Sequence, residues 1–172
     1  MKALLKSGLI VILILTSQLI YAQKGSKFEC NIVKTGIIIN GTLLKVPGLI
    51  DEYEKALGNP SRTVNLIGND IFVWDNIGLI VRKEKTSTKV KSLNFSFVQS
   101  DFVYTPTLMF SGKITMGNSV LDKTTTSSNL KKIGFKMYDN DNTYWELVYG
   151  NVSVVALFKQ GHDGLADLEL SE

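Results

Sequence analysis

The fold is decided by residues 36–60, which read GIIINGTLLKVPGLIDEYEKALGNP. Asn40-Gly41 stands between two short β-rich runs, and this arrangement favours a two-residue hairpin because both turn residues take positive φ. Apolar residues then recur at helical spacing over residues 49–57, and Gly58 is placed to end the helix. The stretch therefore predicts a hairpin followed by a short amphipathic helix.

Downstream of this stretch the pattern is again typical of strands. Residues 71–81 predict a longer hairpin that turns at Asp75-Asn76, since these residues hydrogen-bond their own backbone in turns. The charged run 82–91 predicts a solvated tip. Residues 92–97 alternate small polar and large apolar side chains, which indicates a strand with one buried face.

The same order of elements returns in the second half of the chain. Residues 108–121 predict a hairpin, residues 129–134 a weaker helix, and residues 144–158 a long hairpin that is followed by a last strand at 165–170. The order matches while residue identity matches poorly, so both a duplication and a chance likeness stay open. We predict an α+β fold, a tandem pair of β-hairpin, helix and antiparallel-sheet units that form one compact domain.

The boundaries of these units follow from composition. We predict a signal peptide over residues 1–22 and an N-terminal extension over 23–35. The first β-α-β unit covers residues 36–98 and the second covers 108–172. The linker between them, residues 99–107, carries Phe102 and Tyr104 and should therefore be packed.

The N-terminus predicts export. Lys2 and Lys6 precede an apolar run, and Ala22 is the expected last residue before cleavage. A retained membrane anchor is the alternative, although the apolar run is short for a bilayer. After cleavage we expect no membrane span and a periplasmic or secreted protein, with an oligomeric state that the sequence leaves open.

Charge and cysteine content exclude some classes of protein. Loss of the signal lowers the formal charge from three positive charges to one, and Arg62 and Arg82 are the only arginines. Nucleic-acid binding therefore has no electrostatic basis. Cys30 is the only cysteine, so an intramolecular disulfide is impossible. A buried thiol is the expected state, and a reactive thiol or an intermolecular bridge is the alternative.

Two short motifs of the sequence are similar to motifs of known families. Residues 56–62 read ALGNPSR and residues 73–78 read VWDNIG. A helix followed by Leu-Gly-x-Pro-x-Arg and then Trp-Asp-x-x-Gly is similar to an uncharacterised family of exported bacterial proteins of unknown function. More distantly, it resembles the SmpA/OmlA (BamE-like) group and the β-lactamase inhibitory protein fold. The resemblance implies binding, as an envelope scaffold or an inhibitor, rather than catalysis.

Catalytic and metal-binding patterns are scarce. His162 lies in a Gly-flanked turn beside Asp163, and a surface role is the simpler interpretation than a general base. The run 139–143 alternates Asp and Asn but does not fit a calcium loop, because its sixth and twelfth positions are Tyr144 and Gly150. We expect no enzyme activity, cofactor or metal. A small-ligand carrier or a hydrolase with a site near Arg62, Asp75 or His162 is the alternative, and a purely structural periplasmic domain is a third interpretation.

Aromatic residues indicate the best candidate surface. Tyr144, Trp145 and Tyr149 crowd one strand of the second half, with Tyr138 shortly before it, and such residues are the usual anchors of protein interfaces. The alternative is that this side of the sheet packs on the first half. Arg62 is a further candidate, either as an anion-binding group or in a salt bridge with Asp75 or with an acidic residue of the helix. The sequence therefore predicts a non-enzymatic protein that binds another protein or an envelope component.

Overall fold

The computed structural model describes residues 28–138 and 142–172. The predicted signal peptide and residues 139–141 of the acidic run lie outside the described residues. Within them the chain forms thirteen strands and two short helices, α1 (Ile50–Leu57) and α2 (Ser127–Ile133). The strands are β1 (Glu29–Val33), β2 (Gly36–Ile39), β3 (Thr42–Lys45), β4 (Arg62–Leu66), β5 (Asn69–Trp74), β6 (Leu79–Glu84), β7 (Val90–Ser96), β8 (Lys113–Met116), β9 (Ser119–Leu121), β10 (Lys136–Met137), β11 (Tyr144–Tyr149), β12 (Val152–Phe158) and β13 (Leu165–Ser171).

The strands form two sheets. The five-stranded sheet has the order β3-β2-β1-β8-β9, and the eight-stranded sheet has the order β10-β11-β12-β13-β7-β6-β5-β4. All neighbours are antiparallel except β1 and β8, which pair in parallel. In each sheet a single strand pair, β1·β8 or β7·β13, joins the earlier strands of the chain to the later ones.

The predicted α+β class is wrong, because the fold is β-rich and its core lies between two sheets. Each helix is too short to cover a sheet: α1 buries only Tyr53 fully, and α2 only Leu130. The hairpin that begins each half instead joins β1 to form the five-stranded sheet. One continuous cluster of buried side chains includes residues of both sheets and both helices, such as Ile32, Trp74 and Leu168.

Most local predictions are confirmed. The Asn40-Gly41 hairpin, both helices and the long hairpin of β11 and β12 form where the sequence placed them. Three short elements were missed: β1, which lies inside the predicted N-terminal extension, and the two edge strands β4 and β10. The predicted tip at 82–91 is shorter than expected, because β6 and β7 extend into it from both sides.

Gly78 shows how tightly the chain returns to the sheet after β7. Its φ is +72°, and a Cβ at this position would collide with the backbone nitrogen of Phe110. Phe110 N donates a hydrogen bond of 2.7 Å to the Ser96 carbonyl. Glycine is therefore required here both for its backbone conformation and for the close approach of a second segment.

Candidate interaction surface

The eight-stranded sheet has an inner face on the core and an outer face that carries the candidate site. Side chains of alternate residues point to opposite faces of a sheet. In β11, Trp145, Leu147 and Tyr149 pack on the core, so Tyr144 and Glu146 lie on the outer face. The strand register extends this assignment to the other seven strands.

The structure separates the three aromatic residues that the sequence grouped. Trp145 is 7% exposed in the core, and its Nε1 donates to the Asn142 carbonyl at 3.2 Å. Tyr149 is half-buried against the same core. Tyr144 lies on the outer face, where its ring centroid is 5.1 Å from that of Tyr138. Trp145 and Tyr149 are therefore not available as surface anchors, and a binding surface has to be built around Tyr144.

Arg62 is held in a structural clamp. Its Nε donates to Asp75 Oδ2 at 2.9 Å, and its Nη2 donates to Asp75 Oδ1 at 3.3 Å. Nη1 and Nη2 also donate to the carbonyls of Val103 and Thr105, at 2.7 and 2.8 Å. The predicted salt bridge with Asp75 is confirmed. All three guanidinium nitrogens are engaged, so the geometry gives no support to an anion site at Arg62.

Asp75 is the other half of the clamp. The hydrogen bonds from the Arg62 guanidinium hold the pKa of the Asp75 carboxyl below its ordinary value. Burial opposes this effect, and the hydrogen bonds from Thr107 lower the pKa further. Thr107 donates from its backbone N at 2.8 Å and from Oγ1 at 3.2 Å. Together Arg62 and Asp75 fasten the end of the predicted linker to the sheet.

The other residues of these two short motifs also have structural contacts. Trp74 is 1% exposed, and its Nε1 donates to the Gly58 carbonyl at 2.8 Å. Ser61 Oγ accepts a hydrogen bond of 3.0 Å from Asp75 N. These motifs therefore fix the corner between α1, β4 and β5.

Residues 99–107, named here the cover segment, lie over the first-half part of the outer face. That part, named the covered face, is aliphatic. Tyr104 of the cover segment packs against it, and Phe102 stacks on Tyr104 at a centroid distance of 5.3 Å and an interplanar angle of 3°. The residues of the covered face are Val64, Leu66, Ile71, Val73 and Ile80.

The second-half part of the outer face, over β10 to β13, carries exposed apolar side chains. Tyr138 and Val148 are 76% and 68% exposed, so no described segment packs over them. Leu157 stands directly between Tyr144 and Asp167 in the strand register, and it is half-buried. We name this surface, defined by Tyr138, Tyr144, Val148 and Leu157, the open face.

Asp167 marks the boundary of the open face at the β7·β13 pair. Its Oδ1 accepts a hydrogen bond of 2.9 Å from Ser96 Oγ. Burial raises the pKa of the Asp167 carboxyl to about 6, and the charge of Glu169 adds to this, while the bond from Ser96 opposes it. The carboxyl therefore titrates in a range where most aspartates are fully ionised.

His162 and Cys30 lie elsewhere. His162 lines a surface depression of about 510 Å³ with Lys123 and Asp163, and this depression includes neither Arg62 nor Asp75. Cys30 is 3% exposed on the inner face of the five-stranded sheet, where burial raises the pKa of its thiol to about 12. A protonated, buried thiol has the opposite properties to a reactive cysteine, so the structure favours the packing role.

Val148 and Leu157 were not among the predicted surface residues. The position of Val148 could have been predicted from the sequence, because period-two alternation within residues 144–149 assigns Tyr144 and Val148 to one face and Trp145 and Tyr149 to the other. The fact that β12 lies beside β11 with Leu157 next to Tyr144 follows only from the strand register.

Within the described residues, no helix is long and apolar enough to cross a bilayer, and no group of three or more His, Cys, Asp or Glu side chains is placed to hold a metal ion.

Comparison with solved structures gave matches of low similarity. A cysteine-rich secretory protein from Staphylococcus aureus shares 11% identity, with a TM-score of 0.46 over 73% of this chain and 44% of that chain. An extracellular protein with an SCP domain from Bacillus anthracis shares 11% identity, with a TM-score of 0.47 over 74% of this chain and 44% of that chain. The chain thus spans less than half the length of these structures.

No curated protein matched the sequence. The model of a family described as a domain of unknown function, DUF7738, matches residues 27–131. Because this match covers more than half of the chain, the protein belongs to the DUF7738 family.

Proposed function

We propose that the protein is an exported, non-enzymatic binding protein whose open face docks another protein or an envelope component. The observation that carries the proposal is the exposure of Tyr138 and Val148 on the same sheet face as Tyr144. Large apolar side chains that are grouped and exposed are typical of interaction sites, and aromatic anchors supply much of the binding energy of interfaces.

Export is proposed from the N-terminal pattern, with the periplasm or the exterior as the destination. The distant resemblance to the SmpA/OmlA group and to the β-lactamase inhibitory protein agrees with a binding role. The match of residues 27–131 to a domain of unknown function neither adds to this proposal nor opposes it.

The alternative function is a small-ligand carrier or a hydrolase that uses the depression around His162. Its size of about 510 Å³ is sufficient for a small ligand, and Lys123, His162 and Asp163 supply polar groups. Arg62 and Asp75 do not contribute to such a site, because they are engaged in the clamp.

The test is a quantitative pull-down from the membrane and periplasmic fractions of the producing cells. The wild type is compared with a Tyr138→Ser, Val148→Ser variant of the open face. The matched control is a Leu43→Ser, Val120→Ser variant, which removes two exposed apolar residues from the five-stranded sheet (46% and 48% exposed). All three proteins are first shown to unfold at similar temperatures.

We expect a partner that is retained by the wild type and by the control and is lost by the open-face variant. Equal capture by all three proteins, or capture of nothing, would contradict the proposal. A small molecule that binds the wild type and is lost on His162→Gln substitution would favour the alternative.

A further inference from the structure

The open face carries negative charge as well as apolar surface. In the strand register Glu146 stands opposite Val155, Val155 opposite Glu169, and Glu169 opposite Asn94. Asp167 lies on the same face, one row away. The covered face has aliphatic side chains in the equivalent rows of β5 and β6, such as Val73 and Ile80. The two parts of the outer face therefore suit different occupants.

The three carboxyl groups have no cationic partner among the described residues. Asp167 accepts from Ser96 and Glu146 accepts from Ser153 Oγ at 2.6 Å, but no lysine or arginine in the described part of the chain forms an ion pair with these carboxyls. Lys136 stands opposite Glu146 in the register without making such a pair. Lys136 therefore offsets part of the charge of Glu146, whereas Glu169 has no cation opposite it in the register.

A hydrogen-bond acceptor in the same row is also unsatisfied. Asn94 Oδ1, beside Glu169, is buried without a partner in the structure. Buried polar atoms normally have a hydrogen-bond partner. Because this oxygen is buried, a ligand on the sheet surface would not reach it, and only the carboxylates of Glu146 and Glu169 favour a ligand that donates hydrogen bonds and carries positive charge.

The aromatic residues of the open face agree with such a ligand. The paired rings of Tyr138 and Tyr144 lie on the same side of the sheet as Glu146, and a lysine or arginine side chain is attracted both to an aromatic ring face and to a carboxylate. An anionic membrane surface would be repelled by the same carboxylates. The favoured occupant is therefore a polypeptide rather than a lipid.

We propose that the open face binds a polypeptide segment of the partner in which lysine or arginine residues alternate with apolar residues. The cations of the segment meet Glu146 and Glu169, and its apolar side chains pack on Leu157 and Tyr144. This inference rests on the proposed function and adds the chemistry of the partner.

The experiment uses the purified full chain and three labelled octapeptides. In the first peptide lysine alternates with valine and glycine. In the other two, glutamine or glutamate replaces every lysine. Binding is measured by fluorescence anisotropy at low salt, and again at 0.5 M salt. The variant is Glu146→Gln, Glu169→Gln, and the matched control is Asp51→Asn, Glu54→Gln on α1, which removes the same charge from a distant helix.

We expect the lysine peptide to bind the wild type and the control equally, and the open-face variant about tenfold more weakly, since an exposed ion pair contributes up to roughly a factor of five. High salt should weaken this binding by a similar factor because it screens exposed charges. Tyr138→Ser, Val148→Ser should weaken it as well, which locates the peptide on the open face.

Two results would overturn the inference, and they are distinguishable. If the glutamine or glutamate peptide binds as tightly as the lysine peptide and the Tyr138→Ser, Val148→Ser variant loses that binding, the open face binds polypeptides without preference for cations, and the proposed function stands alone. If no peptide of any charge binds in a way that depends on the open face, the inference is contradicted, and the pull-down alone decides the proposed function.

Discussion

The covered face and the open face are two parts of one sheet surface that differ in what lies over them. On the covered face the chain supplies its own occupant, a segment with a stacked aromatic pair that is fastened by Arg62 and Asp75. On the open face Tyr138 and Val148 are exposed, and carboxylates replace part of the aliphatic surface. The comparison indicates that the part of the sheet that the chain covers has aliphatic side chains, whereas the uncovered part combines apolar side chains with carboxylates.

We expect the largest effect on stability from a substitution of Trp145, which tests whether this residue belongs to the core rather than to the open face. Trp145→Ala should lower the free energy of unfolding by about 3–5 kcal/mol, since truncation of a buried tryptophan leaves a cavity. Urea unfolding at fixed temperature measures this. A change below about 1 kcal/mol would mean that the side chain is not packed as the structure shows and would return it to the candidate surface.

The next effect concerns Asp167, at the boundary between the two faces. Its folded pKa of about 6 lies above the ordinary value of 3.8. The folded state therefore holds the Asp167 proton more tightly than the unfolded state does. The protonated carboxyl contributes its full stabilisation below about pH 4, and this stabilisation is lost as the pH rises through 6. The loss is about 3 kcal/mol at most, at about 1.4 kcal/mol for each pKa unit.

The Asp167→Asn variant should be more stable than the wild type at pH 8, and its thermal unfolding should lack this decline between pH 4 and 7. Asp75→Asn supplies a comparison of opposite sign, because the lowered pKa of Asp75 gives a contribution that is present above its ordinary pKa and is lost in acid. Identical pH profiles for wild type and Asp167→Asn would show that the carboxyl is not buried.

A smaller effect is expected when the clamp on the cover segment is removed. Arg62→Met breaks four hydrogen bonds, including those to the carbonyls of Val103 and Thr105. We expect a loss of about 2 kcal/mol, the usual size for hydrogen bonds to a charged group. Protease cleavage within residues 99–107 should become faster, because the segment is released from the sheet.

The control for the clamp is Lys91→Met, which removes an exposed ion pair with Glu84. It should leave both unfolding and cleavage close to those of the wild type. Slow cleavage of the Arg62→Met protein would indicate that the packing of Tyr104 and the hydrogen bonds from Thr107 to Asp75 are sufficient to hold the cover segment.

The smallest effect is expected on the open face. Tyr138→Ser with Val148→Ser should change the free energy of unfolding by no more than about 0.5 kcal/mol, because exposed side chains outside special structural features contribute little to folding. Urea unfolding again measures it. A loss comparable with that of Trp145→Ala would show that something within the chain covers these residues, and would remove the contrast between the two faces.

Local structure was largely predictable from the residues themselves. The Asn40-Gly41 turn, the helix that ends before Gly58 and the long hairpin at 144–158 follow from backbone preferences and periodicity, which act within a few residues of one another. The core positions of Phe95 and Leu168 follow from alternation in the same way. The sequence also indicated a salt bridge between Arg62 and Asp75, although with an anion site as its alternative.

The tertiary structure alone decided how these elements assemble and where the candidate site lies. The parallel pairing of β1 with β8 joins residues more than eighty positions apart, such as Cys30 and Ile114, and period-two alternation does not specify which strands become neighbours. The same limit explains the misplaced Trp145, since a strand rich in aromatic residues has two faces. Short-range backbone preferences thus determine the elements of this protein, whereas long-range pairing of strands determines its sheets and which face stays open.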